Sequence, residues 1–125
     1  MIRSTKVVDA SALAAILFGE PKGPTVAGWI ERDELMAPTL LRYELASVSL
    51  KKLRRYPERR HELVQALALF EELELKEVEV PPVAATQLAE RTGLTAYDAA
   101  YLWLSRRLGI ELVTLDEHLD AATRS

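Results

Sequence analysis

The chain has 125 residues, 49% hydrophobic and 28% charged, which is enough apolar material for a core and too much for a disordered segment. It contains no cysteine, which excludes a disulfide framework and any thiolate metal site. A formal net charge of -3 argues against coating nucleic acid by bulk charge, while leaving room for local basic patches.

Residues 1–6 lead directly into a short apolar run and lack the long apolar stretch and cleavage site of a signal peptide. No apolar run reaches the ~20 residues of a membrane span. The expectation is one domain over residues 1–125, working in the cytoplasm and away from membranes.

Strand and helix signals alternate along the chain, which predicts an α/β fold with a mainly parallel sheet and helices on both faces. Lys6 to Asp9 is a short β-branched strand, and Ser11 to Phe18 a helix. A Gly/Pro cluster over residues 19–24 marks a turn before a second helix, Thr25 to Arg32. Leu35 to Ala37 is a strand closed by Pro38, and Thr39 is placed to cap a helix running to Arg55. A further helix runs from Pro57 to about Leu73. Lys76 to Val80 alternates valine with charge and suits an edge strand. Helices over 82–91 and 95–108 end at Gly93 and Gly109, followed by a strand over 110–115 and a last helix over 116–122.

Four of the 19 acidic residues stand in positions that a solvated face does not explain. Asp9 ends the first strand, and ligands of parallel sheets bind outside the carboxyl ends of strands. Glu44 borders an apolar stripe formed with Leu41, Leu45 and Val48. Asp98 follows Thr95 by three in the form of a capping box, yet shares a helical face with Tyr101 and Leu102. Asp116 ends the last strand, with Thr114 two residues before it on the same expected face. A helix cap accounts for Asp9, Asp98 or Asp116 taken singly. Together, the four acids would converge on one sheet edge, where their repulsion calls for a counter-ion. Oxygen ligands without His or Cys favour Mg²⁺ or Mn²⁺.

The segments around these acids are Val8-Asp9-Ala10-Ser11, Arg42-Tyr43-Glu44-Leu45, Thr95-Ala96-Tyr97-Asp98-Ala99-Ala100-Tyr101 and Val113-Thr114-Leu115-Asp116. In their order and spacing they resemble the acidic signature of PIN-domain ribonucleases, and among them the VapC-type toxins of toxin–antitoxin pairs. The resemblance implies a three-layer α/β/α sandwich and hydrolysis of RNA phosphodiesters. It makes Asp9, Glu44, Asp98 and Asp116 the catalytic and metal-holding acids, with Ser11 and Thr114 as accompanying cofactor-binding hydroxyls that bond to those acids or to metal-bound water. It also implies a cognate antitoxin and a homodimer. Asp120, one turn past Asp116, is a peripheral candidate.

Six basic residues, Lys51, Lys52, Arg54, Arg55, Arg59 and Arg60, fall within ten positions with only Glu58 among them. They read equally as a phosphate-binding rim or as a solvated helix end. Trp29 and Trp103 read as core residues, Tyr43, Tyr97 and Tyr101 as pocket walls, and His61 and His118 as unpartnered. Two other readings compete with a nuclease. A phosphotransfer domain would want a late lysine, and none follows Lys76. A non-catalytic PIN-like binding module would be expected to have lost an acid.

Overall fold

A computed structural model describes residues 3–125, so the expectation about how the chain opens rests partly on residues outside those described. The strands are β1 (Thr5–Val8), β2 (Glu34–Pro38), β3 (Leu75–Val78) and β4 (Leu112–Val113). The helices are α1 (Ala10–Leu17), α2 (Gly23–Ile30), α3 (Leu41–Arg55), α4 (Arg60–Ala68), α5 (Pro82–Thr92), α6 (Ala96–Leu108) and α7 (Glu117–Thr123).

The four strands form one sheet in the order β3-β2-β1-β4, with every neighbouring pair parallel. The chain steps from β1 to β2 to β3 in one direction, then crosses back to place β4 on the far side of β1. Right-handed crossovers therefore put the helices of the first two connections on one face and those of the third on the other. The packing agrees: α1 lies against α2 and α3, whereas α6 lies against α5 and across β1, β2 and β4. The result is the expected α/β/α sandwich. Val7 and Val8, whose side chains point to opposite faces, are both 0% exposed, so β1 is covered on both sides.

Local chemistry moves several boundaries. Thr39 does not cap α3; its N–H bonds to Val78 O at 3.0 Å and continues the β2–β3 ladder, while Leu40 precedes the helix without a side-chain cap. The second helix begins at Gly23, inside the expected turn, because Pro24 sits in its first turn, where no intrahelical N–H is needed. The helix expected over 57–73 is broken into a 3₁₀ turn (Pro57–Arg59), α4 and a second 3₁₀ turn (Leu69–Glu72). The last strand is shorter than the expected 110–115. Past Val113 the N–H groups of Leu115 and Asp116 bond to the hydroxyls of Ser11 and Thr114, at 2.9 and 3.0 Å, instead of to a neighbouring strand.

One close approach locks α2 onto α1. A Cβ built on Gly23 would lie 2.5 Å from the carbonyl oxygen of Ala15 and 3.2 Å from its carbonyl carbon. Neither backbone atom yields without separating the helices. Gly23→Ala should cost about 1–3 kcal/mol of stability, the usual penalty of overpacking, measured by urea unfolding. Gly28, in the same helix, meets nothing within 4 Å. Gly28→Ala should therefore gain roughly 0.5–1 kcal/mol from helix propensity alone. Equal effects at the two positions would remove the packing explanation.

Candidate active site

The topology places a switch point between β1 and β4, where the connections leave in opposite directions, and this is where α/β sheets bind ligands. Val8 pairs with Val113 in the β1–β4 register, so the residues that follow, Asp9 and Thr114, meet side by side.

Asp9 is 4% exposed and anchored by three donors. Its Oδ1 accepts from the Ala12 N–H at 3.0 Å, capping α1, and from the Ser11 hydroxyl at 2.8 Å; its Oδ2 accepts from Thr114 Oγ1 at 2.5 Å. Each hydroxyl has one proton, and both protons point at Asp9. The 3.3 Å approach of Ser11 Oγ to Thr114 Oγ1 is thus a contact between two committed donors. A carboxylate has about four lone-pair sites. Three are filled here, which leaves Asp9 rigid with about one site for a cation.

Glu44 stands in the first turn of α3 and is half-buried, with its Oε1 accepting from the Tyr101 hydroxyl at 2.5 Å. Asp98 is half-buried in the first turn of α6, whose N-cap Thr95 accepts from the Asp98 N–H at 3.1 Å. Asp116 is exposed and caps α7, its Oδ1 accepting from the Leu119 N–H at 2.9 Å. The acids do cap or flank helix starts, as each would singly. They converge as well: α1, α3 and α7 each follow a parallel strand and so begin at the same sheet edge, and α6, which follows α5, brings Asp98 within electrostatic reach of the other three acids. The positive N-terminal ends of these helices offset part of the gathered negative charge.

Electrostatics links all four acids. Burial pushes the Asp9 carboxyl above its ordinary value; its three hydrogen bonds oppose the shift and the charge of Asp98 adds to it. Glu44 is raised by burial against the Tyr101 bond, with further contributions from Asp98 and Asp9. Asp98 is raised by burial and then by Asp116, while His118 and Thr95 work the other way. Among the described residues, no lysine or arginine forms an ion pair with any of the four.

Among the described residues, no three His, Asp or Glu side chains lie close enough to hold one ion entirely by themselves. The donor set nonetheless fits Mg²⁺ or Mn²⁺. Magnesium keeps several of its waters and uses only one or two direct carboxylates. A rigid buried aspartate, three further acids and no competing cation match that habit.

Of the other side chains, Trp103 and Asp120 keep to the sequence reading and several others depart from it. His118 forms no side-chain hydrogen bond or ion pair among the described residues, as expected, but it is near enough to Asp98 to oppose its shift, and its one signal in the sequence is its place two residues after Asp116. Tyr101 is buried beneath the site, whereas Tyr43 and Tyr97 are exposed. Trp103 packs on the core, but Trp29 is 48% exposed and is not a core residue. Asp120 pairs with Arg124 at 2.7 Å and stays outside the cluster. Of the basic run, Lys52 pairs with Glu20 and Arg59 with Glu62, so Glu58 is not its only acidic neighbour.

Comparison with known proteins agrees with this fold. The PIN-domain family profile matches residues 6–124. Ribonuclease VapC3 of Pyrobaculum aerophilum is 34% identical over 118 residues, covering 90% of each chain. The crystal structure of PAE2754 from Pyrobaculum aerophilum superposes with a TM-score of 0.78 at 29% identity, over 97% of this chain and 86% of that one. VapC20 of Mycobacterium tuberculosis, described as a sarcin-ricin loop cleaving toxin, superposes with a TM-score of 0.69 over 94% of each chain; at 20% identity it bears on the fold alone. With a profile match over nearly its full length and a VapC relative at this identity, the chain belongs to the PIN-domain family, in its VapC-type ribonuclease branch.

Proposed function

We propose that the chain is a Mg²⁺- or Mn²⁺-dependent endoribonuclease, the toxin of a VapBC-type toxin–antitoxin pair acting in the cytoplasm, with Asp9, Glu44, Asp98 and Asp116 as its catalytic and metal-holding acids. The observation that carries the reading is three interacting carboxyls, all pushed above their ordinary values, with no lysine or arginine paired to them. A site of that kind is stable at neutral pH when a divalent cation neutralises it. Once bound, such a cation lowers the pKa of a bound water and polarises the phosphoryl oxygens.

The chain's own groups have separate tasks in this reading. Ser11 and Thr114 hold Asp9 in its anionic form with both oxygens oriented. Glu44 and Asp98 bring negative charge from opposite helix layers. Asp116, exposed at the rim, is the acid that solvent and substrate reach first. Lys51 lies two turns along α3 on the same face as Glu44, and neither it nor Arg54 is in an ion pair among the described residues. Both are placed to take RNA phosphates beside an acidic pocket. A protein partner, either the antitoxin or a second copy in a homodimer, is supported by the exposed apolar side chains Tyr43 and Leu50 on α3 and Val64 on α4.

The direct test is cleavage of single-stranded RNA by the purified chain. Activity is expected with Mn²⁺ or Mg²⁺, should vanish with EDTA, and should return when excess Mn²⁺ is added. Undiminished cleavage in EDTA would remove the metal from the mechanism. RNA binding without cleavage in any metal would favour a non-catalytic binding module.

A further inference from the structure

Tyr101 is 1% exposed and is among the largest fully buried side chains, yet its hydroxyl is spent on the acidic site. It donates to Glu44 Oε1 at 2.5 Å, from α6 on one face of the sheet to α3 on the other. This phenol is the one hydrogen-bond donor to the Glu44 carboxylate among the described residues. A buried tyrosine needs a partner for its hydroxyl, and a phenylalanine would fill the same space without one. The hydroxyl therefore does something that packing does not require. It stops a long, flexible side chain from turning, and it engages one oxygen while leaving Oε2 unengaged.

We propose that Tyr101 is a positioning residue that presents Glu44 to a divalent cation, or to the cation's water, through Oε2 alone, and so biases the site toward Mg²⁺ or Mn²⁺ over Ca²⁺. The bias follows from coordination chemistry. Mg²⁺-sized ions want an octahedral shell that single-oxygen carboxylates suit, whereas Ca²⁺ accepts carboxylates through both oxygens and in looser geometry. An oxygen held by a short phenol bond is a poor second arm for Ca²⁺. The proposal rests on the metal reading of the preceding subsection.

The test is isothermal titration of the metal-free protein with Mn²⁺ and separately with Ca²⁺, for the parent, Tyr101→Phe, Tyr101→Leu, Glu44→Gln and the double variant Tyr101→Phe/Glu44→Gln, each checked for folding by circular dichroism. Tyr101→Phe should weaken Mn²⁺ binding at least fivefold and Ca²⁺ binding less, so that the Mn²⁺:Ca²⁺ preference falls. Tyr101→Leu, which removes the hydroxyl with a different core filler, should move the preference the same way. In the Glu44→Gln background the Tyr101→Phe change should shift Mn²⁺ affinity less than twofold, since the interaction it removes is already lost. An unchanged preference in both Tyr101 variants overturns the proposal, and so does an equal Mn²⁺ loss with and without the Glu44 carboxylate. If the parent binds no Mn²⁺, the metal reading fails with it; if the parent binds and Tyr101→Phe binds equally, the role of Tyr101 alone is wrong.

Discussion

Asp9→Asn should lower RNA cleavage about a thousandfold, in the range seen when a preorganised charge is removed from an active site, without lowering the melting temperature of the metal-free protein. The two halves of this result separate charge from architecture. Asn keeps an oxygen for the Ala12 N–H and the Ser11 hydroxyl, which both bond to Oδ1. Its amide nitrogen replaces Oδ2 and donates to Thr114 Oγ1, which at present donates to Asp9. The hydroxyl has only to rotate. The substitution also deletes a buried anion that burial and Asp98 disfavour. Asp9→Ala removes the α1 cap as well and should cost roughly 1 kcal/mol. Wild-type cleavage by Asp9→Asn would end the assignment of Asp9; a large stability loss in that variant would show that its charge is structural.

The second large effect couples pH, stability and metal. Asp9, Glu44 and Asp98 are all raised in the folded state above their ordinary values of 3.8, 4.5 and 3.8. A raised carboxyl makes the folded state bind more protons than the unfolded state. Its contribution to stability is thus greatest at low pH and declines as pH rises from the ordinary value through the folded one. These three groups therefore oppose the usual acid destabilisation, and the metal-free protein should lose stability by their action as pH rises from about 4 through their raised folded-state values. A divalent cation at 100 times its Kd should restore about 2.7 kcal/mol at pH 7, which corresponds to a rise in melting temperature of about 10 °C for a chain of this size. Below pH 4 the gain should disappear as the ligands take up protons. Melting curves from pH 4 to 8, with and without Mn²⁺, test this. A cation effect of the same size at both ends would locate binding outside the acidic cluster.

The tolerance of such a cluster has a physical basis in the fold. Asp9 and Asp116 are each bonded to the first turn of the helix they cap, and Glu44 and Asp98 lie within first turns. N–H groups and helix dipoles meet the acids on the protein side and leave the opposite side short of positive charge. In the same arrangement a capping role and the proposed catalytic role do not compete at these positions. Both are served by a carboxylate at the start of a helix that begins at the carboxyl edge of the sheet.

The alternation of elements, the two glycine helix stops, the edge character of β3 and the four acids were all legible in the chain, because each is written in neighbouring residues. Hydrophobic period, Gly93 and Gly109 in left-handed conformation past helix ends, and an aspartate directly after a run of valines are local signals. Tertiary structure alone decided what the acids face. The pairing of Asp9 with Thr114 comes from the Val8–Val113 register, across 105 positions, and the grip of Tyr101 on Glu44 across 57. It also decided where β4 stops and that Thr39 serves the sheet instead of α3, since both outcomes depend on partners distant in sequence. Local propensity sets which elements form. Which charges meet, and hence what the site can bind, is set by strand order and crossover handedness, which no short stretch of sequence contains.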